Sequence, residues 1–535
     1  MKNDRIPLFS RMSLRPQAAR LTLAVMLLLL AASTHAAAHK SKSQPVTPLQ
    51  CPEAERYVAA IEHAADARTA RAAVEEFITT LQYQVPPNRW NTSISAGQYE
   101  ITFIKPAADD MTLWYPTYFD SYVPASKITS HNLRRRITTE GPGVPFVGLR
   151  QNTPERNKQY PYLALPVIMN SVTCVVEFPF KRSSSMQRLV RIRLVNPLNS
   201  REQVASDLTA PFELIMKNAI TDMGVLQAFL RPFEHLDLVR LYMLEPYDPK
   251  KIPVVFVHGL ASAPKAWVNT INELLADPVI RQNCQFWGFR YPTGNPVLLS
   301  AALLRKSLQG LRDEYDSKHK DRTFDQMVII GHSMGGMLTR LMVTESGDCF
   351  WRANMDRPFS QTNLSPEDRA LLKEALFFKR QPYVKRVIFI ATPHRGSPIA
   401  KGSLGRLASK LVEMPGDISN LGARVARMNP SILRGASRKA EFDIPTSIDN
   451  FSPNNRFVLT YQQMPIPPPY HTIMGNRGVG KGTPSTDGIV PYWSSHLAGA
   501  ESEILAPAGH SCEDHPLAIL EIQRILRLHL ETLQR

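Results

Sequence analysis

Apolar and polar positions change their period along the chain. Beyond residue 250, short apolar-rich runs recur at 253–257 (PVVFV), Cys284–Arg290 (CQFWGFR), 326–330 (QMVII) and Val384–Ile390 (VKRVIFI). Runs this short, each leading into a turn, read as strands buried on both faces. Helical spacing follows from about 265, over roughly 297–316 and after Gly336, and 515–533 reads as a closing helix. The last two strands are expected at 470–474 and 502–505. Alternation of this kind predicts an α/β architecture, a mostly parallel sheet flanked by helices.

Upstream the pattern is different. Residues 52–85 are rich in Ala, Glu and Arg at helical spacing and end at Pro86-Pro87. From 95 to 200, alternating or β-branched runs such as Tyr99–Phe103 and Arg188–Val195 lie between Pro, Asn and Gly turns, as strands do. Residues 203–245 read as helical. Together 39–245 form an N-terminal accessory region of mixed α and β character, without a catalytic signature. Residues 250–535 form the second region, interrupted at about 396–469 by an insertion rich in Gly, Pro, Leu and Met. Its apolar stretches at 404–414 and 418–428 fit either a cap or lid over a pocket or an extension of the core.

The first residues read as an address. Lys2, Arg5, Arg11, Arg15 and Arg20 precede the apolar run LTLAVMLLLLAA at 21–32, shorter than the ~20 residues of a membrane-spanning helix. Ala36-Ala37-Ala38 suits a signal peptidase, so 1–38 is expected to be a signal peptide, with an uncleaved anchor as the alternative. Either way the body is expected to be exported, to a periplasm, an envelope or the medium if the source is bacterial. Cysteines 51, 174, 284, 349 and 512 would then sit where disulfides can form, and the sequence does not assign partners.

Composition narrows the classes. The chain has 535 residues, 43% of them hydrophobic and 21% charged, which excludes a largely disordered chain and a polytopic membrane protein. The 43 prolines exceed the usual share of about 5% and imply many fixed turns. A net charge of +16 allows peripheral contact with an anionic envelope surface, although no dense Lys/Arg cluster stands out. No motif for nucleic-acid binding and no zinc spacing occurs, and no cofactor is called for. The stretch from Gly475 to Gly482 comes close to a phosphate-binding loop. Gly482 replaces the required Ser/Thr and no helix follows, so no nucleotide is expected.

Candidate chemistry centres on Gly331-His332-Ser333-Met334-Gly335, between an apolar strand and an apolar-periodic helix. A G-x-S-x-G pentapeptide in that setting is a nucleophile elbow, with glycines where side chains would meet neighbouring backbone. With PVVFVHGLASAPKAW at 253–267, IFIATPHRGSP at 388–398, STDGIVP at 485–491 and APAGHS at 506–511, the region from 250 onward resembles the α/β-hydrolase superfamily, in its bacterial lipase and esterase branch. The resemblance does not reach 39–245. It implies an α/β-hydrolase fold and a Ser333, Asp487, His510 triad, with Asp443 and Asp449 as weaker rivals for the acid and His515 as rival for the base. It also implies an oxyanion hole from the backbone N–H groups of Leu260 and Met334. His258, His332 and His394 read as structural or hydrogen-bonding residues of the motif turns. The implied activity is hydrolysis of carboxylic esters, with a lipid substrate in view. An acyltransferase using the same elbow and a non-catalytic envelope-binding protein are the alternatives.

Overall fold

The strand runs owe their apolar-rich character to a sheet covered on both sides. The computed structural model describes residues 48–129, 132–159, 162–163, 167–180, 187–218, 231, 239–398, 421–429, 447–478 and 485–534. Among these, Leu49–Arg535 forms one compact unit built on two seven-stranded sheets and a two-stranded one. The segment 1–38 and the stretch 404–414 lie outside the described residues.

In the order of the chain, the first sheet and its small companion comprise β1 (Leu49–Gln50), β2 (Ile94–Ala96), β3 (Tyr99–Phe103), β4 (Ser121–Pro124), β5 (Thr138–Thr139), β6 (Val144–Gln151), β7 (Val167–Glu177), β8 (Arg188–Val195) and β9 (Ser206–Asp207). Their order is β1-β2-β3-β8-β7-β6-β4, with β5 and β9 paired apart. Burial alternates along β3, as for a sheet with one well-covered face. The cover is two helices, Ala54–Glu62 and Ala67–Gln84. The predicted helix over 52–85 breaks between them, where the Asp66 side chain accepts a bond from Thr69 N at 2.8 Å and caps the second. Val74, Phe77, Ile78 and Leu81 of that helix pack on Ile101, Phe103 and Ile192 of the sheet.

The second sheet contains β10 (Arg240–Met243), β11 (Ile252–Val257), β12 (Cys284–Arg290), β13 (Met327–His332), β14 (Val384–Ile390), β15 (Tyr470–Gly475) and β16 (Ser502–Ala506), in the order β10-β12-β11-β13-β14-β15-β16. Every pairing is parallel except β10 with β12. Alternate residues of each central strand enter opposite cores. Val255, Val257 and Ile329 pack under the helices Val297–Tyr315 and Met334–Val343. Val254, Phe256, Val328 and Ile330 pack under Val268–Leu275 and Pro516–Gln534. Each side chain so buried contributes roughly 1.5–3 kcal/mol. This strand order, with helices on both faces, is the mostly parallel α/β architecture that the alternation of runs predicts.

The helical reading of 203–245 needs correction. Only Ala210–Asn218 is helical among its described residues, and Arg240–Met243 is a strand of the second sheet. A four-residue edge strand with burial alternating along it is too short for its period to show beside a helical neighbour. The second sheet therefore starts inside the region assigned above to the accessory part. In the insertion, the Leu421–Met428 helix buries Leu421 and Val425 against Trp351 and Met355, and Arg424 pairs with Asp368 at 2.5 Å. The described part of 418–428 thus extends the core. No described helix is long and apolar enough to cross a membrane. All five cysteines carry free thiols.

Candidate active site

The carboxyl ends of the parallel strands converge at the turn after β13. Ser333 sits there with φ 52° and ψ −120°, a conformation that costs a non-glycine residue about 1–3 kcal/mol. The backbone is locked from both sides: Ser333 N donates to Ile390 O of β14 at 2.8 Å, and Gly336 N closes onto Ser333 O at 3.0 Å. Gly335 must lack a side chain, because a Cβ would run into the backbone carbonyl of Val257. Ser333 occupies the N-cap position of the helix that begins at Met334, beside the positive end of its dipole.

Two loops bring the remaining groups. His510, after β16, places Nε2 2.9 Å from Ser333 Oγ. Its Nδ1 lies 2.8 Å from Asp487 Oδ2, after β15. An ionised carboxylate only accepts, so the proton sits on Nδ1 and Nε2 is left to accept from the Ser333 hydroxyl. The other Asp487 oxygen accepts from Ile489 N at 2.8 Å and Val490 N at 2.6 Å, which fixes the carboxylate while it stays buried. Three residues widely separated in the chain thus form one hydrogen-bonded line.

The rivals lie elsewhere. His515 Nδ1 accepts from Leu517 N at 3.2 Å and caps the last helix. Asp449 opens the short helix Asp449–Phe451, and its carbonyl accepts from Asn455 Nδ2 at 3.0 Å. Asp443 is outside the described residues. His258 stacks on Tyr291 at 4.5 Å, and the Tyr291 hydroxyl donates to His258 O at 2.8 Å. Burial pulls the His258 imidazole down to about 4, so it stays neutral. His394 is buried beside the Tyr461 hydroxyl at 3.2 Å and is held well below its ordinary value by the same desolvation.

The oxyanion candidates flank the serine. Met334 opens the helix, and Gly259-Leu260 forms the turn after β11. That turn abuts the nucleophile: a Cβ on Gly259 would stand 3.0 Å from Ser333 Cβ and 3.0 Å from His332 Nδ1. Ala261 follows at φ 51°, anchored by Ala261 N donating to Thr293 Oγ1 at 3.0 Å.

Sequence reasoning missed how the histidine loop is held. His332 Nε2 donates to the backbone carbonyl of His510 at 2.9 Å. Glu513 Oε2 lies 3.4 Å from the same nitrogen, a weaker second contact. Burial, aided by the nearby His510, keeps His332 neutral by lowering it to about 3. Burial raises the Glu513 carboxyl to about 7. The motif placed His332 in the turn, and nothing in the pattern around Glu513 distinguishes it from a surface glutamate.

Among solved structures, the chain is similar to the mature form of the lipase BlEst2 from Bacillus licheniformis (16% identity, 54% of this chain and 97% of that one, TM-score 0.32). It is also similar to a lipase-esterase related protein from Clostridium acetobutylicum (9% identity, 54% and 99%, TM-score 0.29) and to the metagenomic carboxyl esterase MGS0156 (16% identity, 53% and 76%, TM-score 0.29). No protein-family model and no curated protein matches the chain.

Proposed function

We propose that the protein is an exported serine hydrolase that cleaves carboxylic esters, lipid esters among them, through an acyl-enzyme on Ser333. The observation that carries this reading is the line from Asp487 through His510 to Ser333, with both links below 3 Å, ending on a strained serine. His510 Nε2 removes the hydroxyl proton as Oγ attacks the ester carbonyl carbon. Negative charge on the carbonyl oxygen is received by the N–H groups of Met334 and Leu260, each donor worth roughly 2.7–4 kcal/mol in the transition state. The imidazolium, steadied by Asp487, returns its proton to the departing alcohol. Water then repeats the sequence on the acyl-enzyme, with His510 again as base, and releases the acid. Export rests on the sequence of 1–38 and is tested by the amino terminus of the mature protein.

A fluorophosphonate probe tests the nucleophile. Wild type labels, Ser333→Ala does not, and His510→Ala labels far more slowly. Labelling of Ser333→Ala at the wild-type rate sinks the reading. With an added alcohol acceptor, free acid should remain the main product; an ester product in excess would turn the assignment to acyl transfer.

A further inference from the structure

The general base hangs on a loop rather than on a helix or strand, since β16 ends at Ala506 and the last helix begins at Pro516. His332 holds this loop from inside. Its outer side is held by a segment of the other sheet's region, residues 132–137, which runs into β5. That strap is pinned at home by Leu133 N donating to Glu213 Oε1 at 3.1 Å, by Arg136 Nε on Asp207 Oδ2 at 2.6 Å and by Ile137 N on Thr209 Oγ1 at 2.8 Å.

Its middle faces the hydrolase sheet. The Arg134 guanidinium donates to the Asp514 backbone carbonyl and pairs with the Asp514 carboxylate at 3.1 Å. Arg134 N donates to Asn269 Oδ1 at 3.3 Å, and Asn272 Nδ2 donates to Arg135 O at 2.9 Å, which seats the strap on the helix Val268–Leu275. From that helix the buried Thr270 hydroxyl donates to Glu513 O at 2.9 Å. Both residues gripped this way lie just beyond His510.

We propose that the strap at 132–137 positions the catalytic base, with Arg134, acting through Asp514, fixing the loop that presents His510 to Ser333. The inference rests on the reading of His510 as the base. It gives the accessory region a part in catalysis through the loop that carries His510. An ion pair this exposed contributes little to stability, whereas a misplacement of about 1 Å at a reacting group costs up to ~100-fold in rate. Rate should therefore respond more than folding.

The test uses the full chain and a short soluble ester. Arg134→Ala should lower kcat about 3- to 10-fold with KM and melting temperature near wild type, and Arg134→Lys should recover much of the loss. In a His510→Ala background, Arg134→Ala should leave the residual fluorophosphonate labelling rate unchanged, because the group it positions is gone. Thr270→Val, which removes the buried hydroxyl at nearly constant shape, should lower kcat in the same way and serves if Arg134→Ala does not fold. Wild-type kcat in a folded Arg134→Ala, with His510→Ala inactive, overturns the proposal, as does wild-type kcat in Thr270→Val if Arg134→Ala does not fold. An equal loss from Arg134→Ala with and without His510 overturns it too. Labelling that survives in Ser333→Ala condemns the underlying reading instead.

Discussion

The two seven-stranded sheets use similar residues to different ends. In the second, parallel strands buried on both faces bring three loops to one edge, and each of those loops carries one member of the Ser333, His510, Asp487 line. In the first, only β1 with β2 and β3 with β8 run parallel, the other pairings are antiparallel, and the helices Ala54–Glu62 and Ala67–Gln84 pack on it. Chemistry follows strand direction. A parallel sheet collects the carboxyl ends of its strands on one side, while antiparallel neighbours send alternate turns to opposite sides.

The sharpest way to break this comparison is to truncate each region at its centre. Ser333→Ala and His510→Ala should each lower kcat by about 10⁴- to 10⁶-fold, with melting temperature within a few degrees of wild type. Phe77→Ala, in the core of the first region, should cost about 3–5 kcal/mol of stability in urea titration. Its kcat per folded molecule should stay near wild type, since Phe77 packs in a core cluster that contains none of residues 132–137. A large fall in kcat for the folded Phe77 variant would show that the two regions do not divide the labour in this way.

What could be read in the sequence follows the same division. Central strands of the second sheet were legible because both of their faces are largely buried, so few polar positions interrupt the run, and Cys284–Arg290 and Val384–Ile390 match the observed strands residue for residue. The elbow was legible because its glycines are dictated by backbone collisions within a few residues. Arg240–Met243 was not, because an edge strand is fixed by its partner β12 and carries little local signal. Nor were Arg134, Thr270 and Glu513, whose roles come from contacts between segments far apart in the chain. Gly475, which looked like the start of a phosphate loop, instead ends β15 and leaves room for Gly509 O and Asp487 Cβ, so its use is to let the Asp487 and His510 loops approach.

A smaller effect separates the loops from the sheets by pH. Burial raises the Glu513 carboxyl to about 7, above its ordinary 4.5, so the folded protein holds a proton there that the unfolded chain releases. The stabilisation is complete below about 4.5 and is lost as pH rises through 7, because over that window the unfolded state binds fewer protons. The span corresponds to roughly 3 kcal/mol, at ~1.4 kcal/mol for each unit. Glu513→Gln keeps the shape and removes the titration. Urea midpoints at pH 5 and 8 should therefore move in favour of the variant as pH rises. Parallel curves for variant and wild type would show that Glu513 is solvated in both states.

The smallest effect isolates the strain from the chemistry. Ser333 is held at φ 52° and ψ −120° by bonds to β14 and by its own helix, and only glycine adopts that conformation without cost. Ser333→Gly should abolish labelling as Ser333→Ala does, yet exceed Ser333→Ala in stability by about 1–2 kcal/mol, because alanine keeps the Cβ that the turn opposes. Glycine gives back part of this gain through the greater freedom of the unfolded chain, so the comparison must be made with alanine in the same titration. If alanine is the more stable of the two, the turn relaxes around a side chain at little expense, and the serine is presented by hydrogen bonds alone. If glycine wins, the second sheet spends part of its packing energy on holding one residue in an unfavourable shape, a cost absent from β3 and β8 of the first.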